Sequence, residues 1–221
     1  MNKIFLLSSI VFIALFVSCN NSPEDKANVL IKENMKKVLY HADTYDPVET
    51  QVDSAFTPFD DPMFYEKTLQ LCKLGMSIDK YDRKMKSAKS SMSIWSGPYQ
   101  STYGKNNYQE AKEEYEENAQ YKKKAEKKVQ KLVDELKAMI NKEQQFIGFK
   151  AQHRYRANNN AGQTVFGEMK YLFDKDMSEI VASYDMDDDE YKAVQIIYKQ
   201  MLGEEILIDD ETFDESGLLE E

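Results

Sequence analysis

The middle of the chain carries two long stripes of apolar residues. Within residues 71–95, and again within residues 108–139, apolar side chains recur at alternating steps of three and four. This spacing is typical of α-helices that pack along a partner through a heptad seam. The first stripe comprises Leu71, Leu74, Ile78, Tyr81, Met85, Ala88, Met92 and Trp95. The second, in which only Asn118 and Lys122 are polar, comprises Tyr108, Ala111, Tyr115, Asn118, Lys122, Ala125, Val129, Leu132, Leu136 and Met139.

Each stripe needs a partner, and the nearest partner is the other stripe. Ser96-Gly97-Pro98 ends the first helix, because glycine leaves the helical conformation easily and proline has no N–H to donate. The loop at residues 96–107 is short, so the two helices must run antiparallel. We therefore predict a coiled-coil-like helical hairpin over residues 62–143, with Asp60-Asp61-Pro62 capping its first helix.

Alternation of apolar and polar residues predicts β-strands outside the hairpin. One strand precedes it, at residues 45–56, and three follow it, at residues 147–156, 164–174 and 178–184. The three later strands form an antiparallel meander with one face in solvent. The first strand has no neighbour in its half of the chain. We therefore predict that it joins the meander in a sheet of about four strands, with the hairpin inserted between the first two.

Two more amphipathic helices, at residues 24–40 and 187–202, flank the sheet. The predicted fold class is α+β, with a single domain over residues 27–203 and an acidic tail over residues 204–221. Apolar residues make up 42% of the chain, which is enough for a hydrophobic core. The formal charge of −10 argues against a nucleic-acid partner, because phosphates would be repelled.

The amino terminus combines a short positive region with an apolar run. An uninterrupted stretch of apolar or small residues follows Lys3 and ends at Val17, which is short of the roughly 20 residues that a membrane span needs. The pattern is typical of a secretory signal peptide. Phe16-Val17-Ser18-Cys19 resembles the lipobox of bacterial lipoprotein precursors, although that family prefers leucine where Phe16 stands.

This resemblance has implications for processing, lipidation and cellular localisation. It implies that residues 1–18 are a lipoprotein signal peptide, that the thiol of Cys19 carries the lipid, and that residues 19–26 form a lipidated tether. Asn20 rather than aspartate follows the cysteine, which in that family resembles an outer-membrane destination, on the periplasmic or the surface side. The partner of this end of the chain is then the membrane. The alternative is an ordinary secretory signal in which the cysteine is incidental.

Few residues suggest a catalytic or metal-binding site. Neither His41 nor His153 lies in a metal-binding spacing, and the inward position of His153 favours a hydrogen-bonded core residue over a ligand. Cys72 has no base nearby, which favours an apolar role. The acidic run at residues 185–189 offers oxygen ligands for calcium, but the start of a helix explains it as well. We predict no metal and no cofactor.

Two surfaces have compositions that suit recognition. The hairpin tip carries aromatic residues among Ser, Gly and Asn, which suits a protein or glycan partner; the alternative is that they only cap the hairpin. The outward sheet face carries a basic strip that suits an anionic partner; the alternative is cross-strand pairing with Glu49, Asp53 and Glu168. The tip residues are Trp95, Tyr99, Tyr103 and Tyr108, and the strip residues are Lys150, Arg154, Arg156 and Lys170.

The sequence shows no phosphate-binding loop, dinucleotide motif or readable pair of nucleophile and base. We therefore expect a lipid-anchored binding or accessory module of the bacterial envelope that is not an enzyme. The alternative is a structural spacer or scaffold that self-assembles as a homo-oligomer through the hairpin. A third hypothesis is a hydrolase that acts on envelope polymers through scattered carboxylates.

Overall fold

The computed structural model describes residues 22–98 and 101–204 of the chain. These residues form four α-helices and one antiparallel sheet of four strands, so the predicted α+β class is confirmed. In chain order the elements are α1 (Pro23–Val38), β1 (Asp46–Phe56), α2 (Pro62–Trp95), α3 (Thr102–Ile140), β2 (Phe146–Asn158), β3 (Thr164–Phe173), β4 (Ile180–Asp185) and α4 (Asp189–Met201). The predicted signal peptide, Cys19, Tyr99 and the predicted tail beyond Glu204 lie outside the described residues.

The four strands follow one another across the sheet in chain order, each antiparallel to its neighbour. β1 lies at one edge and pairs with β2, with Thr50 opposite His153. The prediction that the isolated strand joins the three later ones is therefore confirmed. The chain leaves β1 at Thr57 and returns to β2 at Gln145. These two residues are joined by hydrogen bonds of 3.0 and 2.9 Å.

α1 begins earlier than the sequence predicts. The Ser22 hydroxyl accepts a hydrogen bond from the N–H of Asp25, and the Ser22 N–H donates to the Asp25 carboxylate. Pro23 occupies the first helical position, where a missing N–H costs nothing. The last four residues of the predicted tether, 23–26, are therefore helical.

The apolar side of α1 covers one face of the sheet. It packs against the inward side chains of β2 and β3 and against Met177 in the turn after β3. The buried residues of this cluster are Ala27, Ile31, Met35, Ala151, Tyr171, Phe173 and Met177. Burial of a large apolar side chain contributes about 1.5–3 kcal/mol. This cluster is therefore the main stabilising contact between α1 and the sheet.

A second cluster lies on the opposite face, where the first turns of α2 pack with α4. Tyr65 of α2 stacks on Tyr184 of β4 with 4.1 Å between ring centroids, and Tyr191 of α4 stacks on Tyr65 at 6.3 Å. The buried members are Phe64, Tyr65, Leu69, Leu136, Tyr191, Val194 and Tyr198. The prediction that this face lies in solvent is therefore wrong where α2 and α4 cover β4.

β4 contributes to both clusters. A register shift interrupts its pairing with β3 between Leu172 and Phe173. Ile180 packs with the α1 cluster, whereas Tyr184 packs with the cluster of α2 and α4. An irregular step in a ladder redirects side chains in this way, because alternation holds only while the register is kept.

α2 and α3, of 34 and 39 residues, pack against each other as antiparallel helices. Lys67, near the start of α2, forms an ion pair with Glu135, near the end of α3. Halfway along, Lys122 donates to both carboxylate oxygens of Asp82 at 2.7 and 2.9 Å. Every residue of the two stripes is buried or half-buried, as the predicted seam requires.

Small residues let the two helices approach. Ala88, Ala111 and Ala125 are buried, and so is Asn118, the polar residue in the middle of the second stripe. The side-chain amide of Asn118 donates to the Glu114 carbonyl at 2.7 Å. The amide donor of Asn118 therefore keeps a hydrogen-bond partner although the side chain is buried.

Candidate functional site

Two lysines of the basic strip share one buried aspartate. Lys150 and Lys170 each donate a hydrogen bond of 2.9 Å to Asp60, which lies in the loop between β1 and α2 and is 7% exposed. The sequence predicts that Asp60 helps to cap α2. The cap is Asp61 alone, whose carboxylate accepts from the N–H of Met63 at 2.8 Å. Asp60 is thereby free to turn toward the sheet.

Asp60 is held in its charged form. Desolvation by burial raises its pKa, but attraction to Lys170 and hydrogen bonds from Lys150 and from the N–H of Phe56 lower it by more. The pKa of Asp60 therefore lies below the ordinary value of 3.8. This carboxylate fixes the loop between β1 and α2 onto the outward face of the sheet.

The two arginines of the strip pair with the edge strand. Arg154 lies 4.0 Å from Glu49, one of the predicted cross-strand partners, and Arg156 forms an ion pair with Asp46. Within the described residues, each of the four strip cations therefore has a carboxylate partner. This arrangement favours the pairing alternative over an anion-binding strip.

A shallow polar groove runs along the outward face of the sheet beside this cluster. It consists of two adjoining concavities of about 280 and 310 Å³. Gln51 and Gln152, which face each other across β1 and β2, line both concavities. The first is also lined by Asp53, Lys150, Lys170, Met186 and Tyr191, and the second by Glu49, Arg154 and Glu168. The sequence pattern does not distinguish the two glutamines from their neighbours, although both occupy outward positions of their strands.

The tip loop is shorter than the predicted range of residues 96–107. α3 begins at Thr102, because the hydroxyl of Ser101 accepts an N–H bond from the first turn and caps the helix. Tyr103 and Tyr108 therefore lie on α3 rather than in the loop.

The tip presents a mixed aliphatic and aromatic surface. The rings of Trp95 and Tyr103 meet edge to face, with 5.6 Å between their centroids. Tyr103 is 68% exposed, and Ile94 beside Trp95 is 73% exposed, whereas Tyr108 is half-buried. Ile94 lies outside the two stripes, so the heptad spacing does not predict its exposure. An apolar residue outside the heptad spacing is the signal that could have identified it.

Cys72 is half-buried on α2. Burial raises the pKa of its thiol to about 11, against the weaker opposing effect of a backbone hydrogen bond. Such a thiol is almost wholly protonated at neutral pH and is a poor nucleophile. This agrees with the predicted apolar role.

His153 is fully buried within a chain of hydrogen bonds. The Thr50 hydroxyl donates to the side-chain oxygen of Asn28 at 2.7 Å, so its oxygen accepts from Nδ1–H of His153 at 2.9 Å. Nε2 then lacks a proton and accepts from the Tyr45 hydroxyl at 2.8 Å. Desolvation lowers the pKa of His153, and an interaction with the backbone of Glu49 opposes this shift only in part. The ring is therefore a neutral core residue that links α1, β1 and β2.

The acidic run at residues 185–189 serves the start of α4. The Asp188 carboxylate accepts from the N–H of Glu190, and Asp185 accepts from the N–H of Asp187, both at 2.9 Å. Among residues 22–98 and 101–204, no group of three or more metal-ligand side chains comes together. In the same two ranges, no helix is long and apolar enough to cross a bilayer.

Comparison with known proteins finds no family model, no curated protein and no solved structure that matches this chain.

The contribution of Asp60 to stability can be tested with Asp60→Asn. The substitution leaves Lys150 and Lys170 without their charged acceptor, so the free energy of unfolding should fall by about 2–3 kcal/mol in urea at pH 7. The matched control is Asp82→Asn, which breaks an exposed ion pair with Lys122 and should have little effect. Because folding lowers the pKa of Asp60, its contribution is complete above about pH 4 and is lost as pH falls through that lowered pKa. A wild-type advantage over Asp60→Asn that stays constant into strong acid would contradict this account.

The protonation of His153 can be tested by ¹⁵N NMR of its ring. We expect Nδ1 to carry the proton and the ring to stay neutral at pH 6.5, the ordinary histidine pKa. The unfolded chain takes up this proton more readily than the folded one, so stability should fall as pH drops from 6.5 toward the lowered pKa. A charged ring at pH 6.5, or a proton on Nε2 in the neutral ring, would show that the assignment is wrong.

Proposed function

We propose that this chain is a non-enzymatic binding module of the bacterial envelope, anchored in the outer membrane by lipid on Cys19. We further propose that it contacts a partner protein through the tip of its helical hairpin. The observation that carries the proposal is the exposed surface of Ile94 and Tyr103 around Trp95, at the end of the helices opposite to the sheet. Large apolar and aromatic side chains at an exposed position are the usual core of a protein interface.

The anchor rests on the lipobox resemblance, and the start of α1 adds a geometric consequence. Ser22, the helix cap, is three residues from Cys19, a distance of about 10 Å at most. Lys26 in the first turn of α1 donates to the carbonyl of Asp176 at 3.2 Å, in the turn between β3 and β4. A lipid on Cys19 would therefore hold this end of the sheet close to the membrane surface.

The length of the helical hairpin places its tip far from the sheet. We propose that it is inserted between the first two strands as a rigid arm, with its base at the hydrogen-bonded pair Thr57 and Gln145. Helices of 34 and 39 residues extend for about 50–60 Å. Since the seam buries the apolar stripes between α2 and α3, the tip is the part of the arm with the most exposed apolar surface.

The scaffold alternative needs an apolar surface on which a second hairpin could pack. The large exposed hydrophobic side chains on the described parts of α2 and α3 are Met63, Ile94, Tyr103 and Tyr121. Met63 and Tyr121 are single exposed residues distant from the tip, and single residues do not form a pairing seam. The binding-module hypothesis is therefore better supported than self-assembly along the hairpin.

Lipidation can be tested with the two cysteines as a matched pair. In a bacterium that processes lipoproteins, Cys19→Ala should abolish incorporation of labelled palmitate and release the protein from the membrane fraction. Cys72→Ala should leave both unchanged, because Cys72 is a half-buried residue of α2. Palmitate retained by Cys19→Ala, or lost from Cys72→Ala, would refute the anchor.

The tip can be tested by photocrosslinking in intact cells. A photoreactive amino acid at position 103 should give one defined adduct with a partner protein, and Ile94→Ala should reduce its yield several-fold by removing the neighbouring apolar contact. The same group at position 121, an exposed tyrosine in the middle of α3, is the control and should give none. Circular dichroism would confirm that the variants keep their helix content. Equal adducts from positions 103 and 121, or no adduct from position 103, would remove the tip from consideration.

A further inference from the structure

We propose that the polar groove on the outward face of the sheet is a second binding site, and that it takes an uncharged, hydroxyl-rich ligand, namely a neutral oligosaccharide. The inference rests on the donors, acceptors and charges that line the groove. It depends neither on the lipid nor on the tip.

The floor of the groove consists of regularly spaced polar side chains from three strands. Gln51 of β1 lies opposite Gln152 of β2, and Gln152 lies opposite Lys170 of β3. The next row has Glu49, Arg154 and Glu168 in the same order. Adjacent strands are about 4.8 Å apart, so the polar groups form a grid with this spacing across the sheet. Such a grid can contact several hydroxyl groups of a chain of sugar rings at once.

The two glutamines are fixed by their amide nitrogens and keep acceptors for a ligand. Gln51 donates to Glu49 at 2.7 Å, and Gln152 donates to Glu168 at 2.6 Å. No hydrogen bond between described residues uses the carbonyl oxygen of either side chain. Each oxygen can therefore accept from a ligand hydroxyl without breaking an existing bond. Lys150 and Lys170, which each give one bond to Asp60, retain further N–H donors.

The charges of the groove nearly cancel. Three acidic and three basic side chains line its two concavities, and Asp60 beneath adds one negative charge. The basic groups are already paired with carboxylates, so a phosphate or nucleic acid would gain little attraction and would meet unpaired acidic oxygens. A neutral ligand that both donates and accepts hydrogen bonds avoids this penalty.

One side of the groove is less polar than its floor. Met186 and Tyr191 line the first concavity, and the Met186 N–H donates to the Glu168 carbonyl at 2.9 Å, which fixes this side against β3. The C–H faces of a sugar ring are apolar and can pack on Met186, which is half-buried, while its hydroxyl groups reach the polar floor. Amphipathic ligands of this kind fit a groove with one apolar side.

The site can be tested by saturation-transfer NMR on the full chain. The protein is purified in a zwitterionic detergent without a sugar head group, since an alkyl glycoside would compete. The probes are maltohexaose, cellohexaose and chitohexaose, with trigalacturonate as an anionic comparison. We expect at least one neutral probe to bind, and to bind more tightly than trigalacturonate. No signal from all three neutral probes, or preference for the anion, would overturn the proposal.

Variants locate the site. The double variant Gln51→Ala with Gln152→Ala should raise the dissociation constant at least about fivefold, since two hydrogen bonds are lost. Gln130→Ala is the matched control, because Gln130 is an exposed glutamine that donates to Asp134 at 3.0 Å, on α3 away from the sheet. Ile94→Ala at the tip should also keep the affinity, which separates this site from the proposed protein contact. Unchanged affinity in the double variant, with its circular dichroism intact, would place binding elsewhere and refute the groove.

Discussion

The pairing of β1 with β2 is the constraint on which the rest of the structure depends. The two strands are separated in the chain by residues 57–145, and closing a flexible excursion of that length has an entropic cost. α2 and α3 lie within this excursion and reduce its cost, because two antiparallel helices of similar length bring the chain back toward its starting point. Thr57 and Gln145 are hydrogen-bonded at that point. The packing of α2 on α3 and the pairing of β1 with β2 therefore stabilise each other.

Once this pairing is made, the two faces of the sheet are covered differently. α1 packs along one face and buries Ala27, Ile31 and Met35 completely. The opposite face is divided: α4 and the first turns of α2 pack near β4, and the polar side chains of β1 and β2 remain exposed. The groove lies at the boundary between these two regions. Its polar floor and its less polar side both follow from a helical layer that covers only part of the sheet.

The carboxylate of Asp60 allows two lysines to lie at the boundary between the covered and the exposed part of the sheet. Lys170 is close to the apolar cluster of α2 and α4, and an unpaired ammonium group there would lose hydration without compensation. A single carboxylate with two lysine partners compensates both cations and also fixes the loop that leads into α2. Together with the pairing of Arg154 with Glu49 and of Arg156 with Asp46, it compensates the positive strip that the sequence suggests. The outward face is therefore nearly neutral, although four of its side chains carry positive charge.

The sequence by itself determined the helices, the strands and the seam, because these depend on spacing along one segment: steps of three and four bury one side of a helix, and alternation buries one side of a strand. The sequence also predicted that β1 joins the later strands, because the first half of the chain offers no other strand with which it could pair. Only the tertiary structure decided which side chains meet across elements. The pairing of Asp60 with Lys150 and Lys170 and the contribution of β4 to both apolar clusters depend on how α2 and α4 lie on the sheet. Spacing along the chain carries no information about how these helices lie on the sheet. Their position is set by the packing of aromatic rings such as Tyr65 on Tyr184.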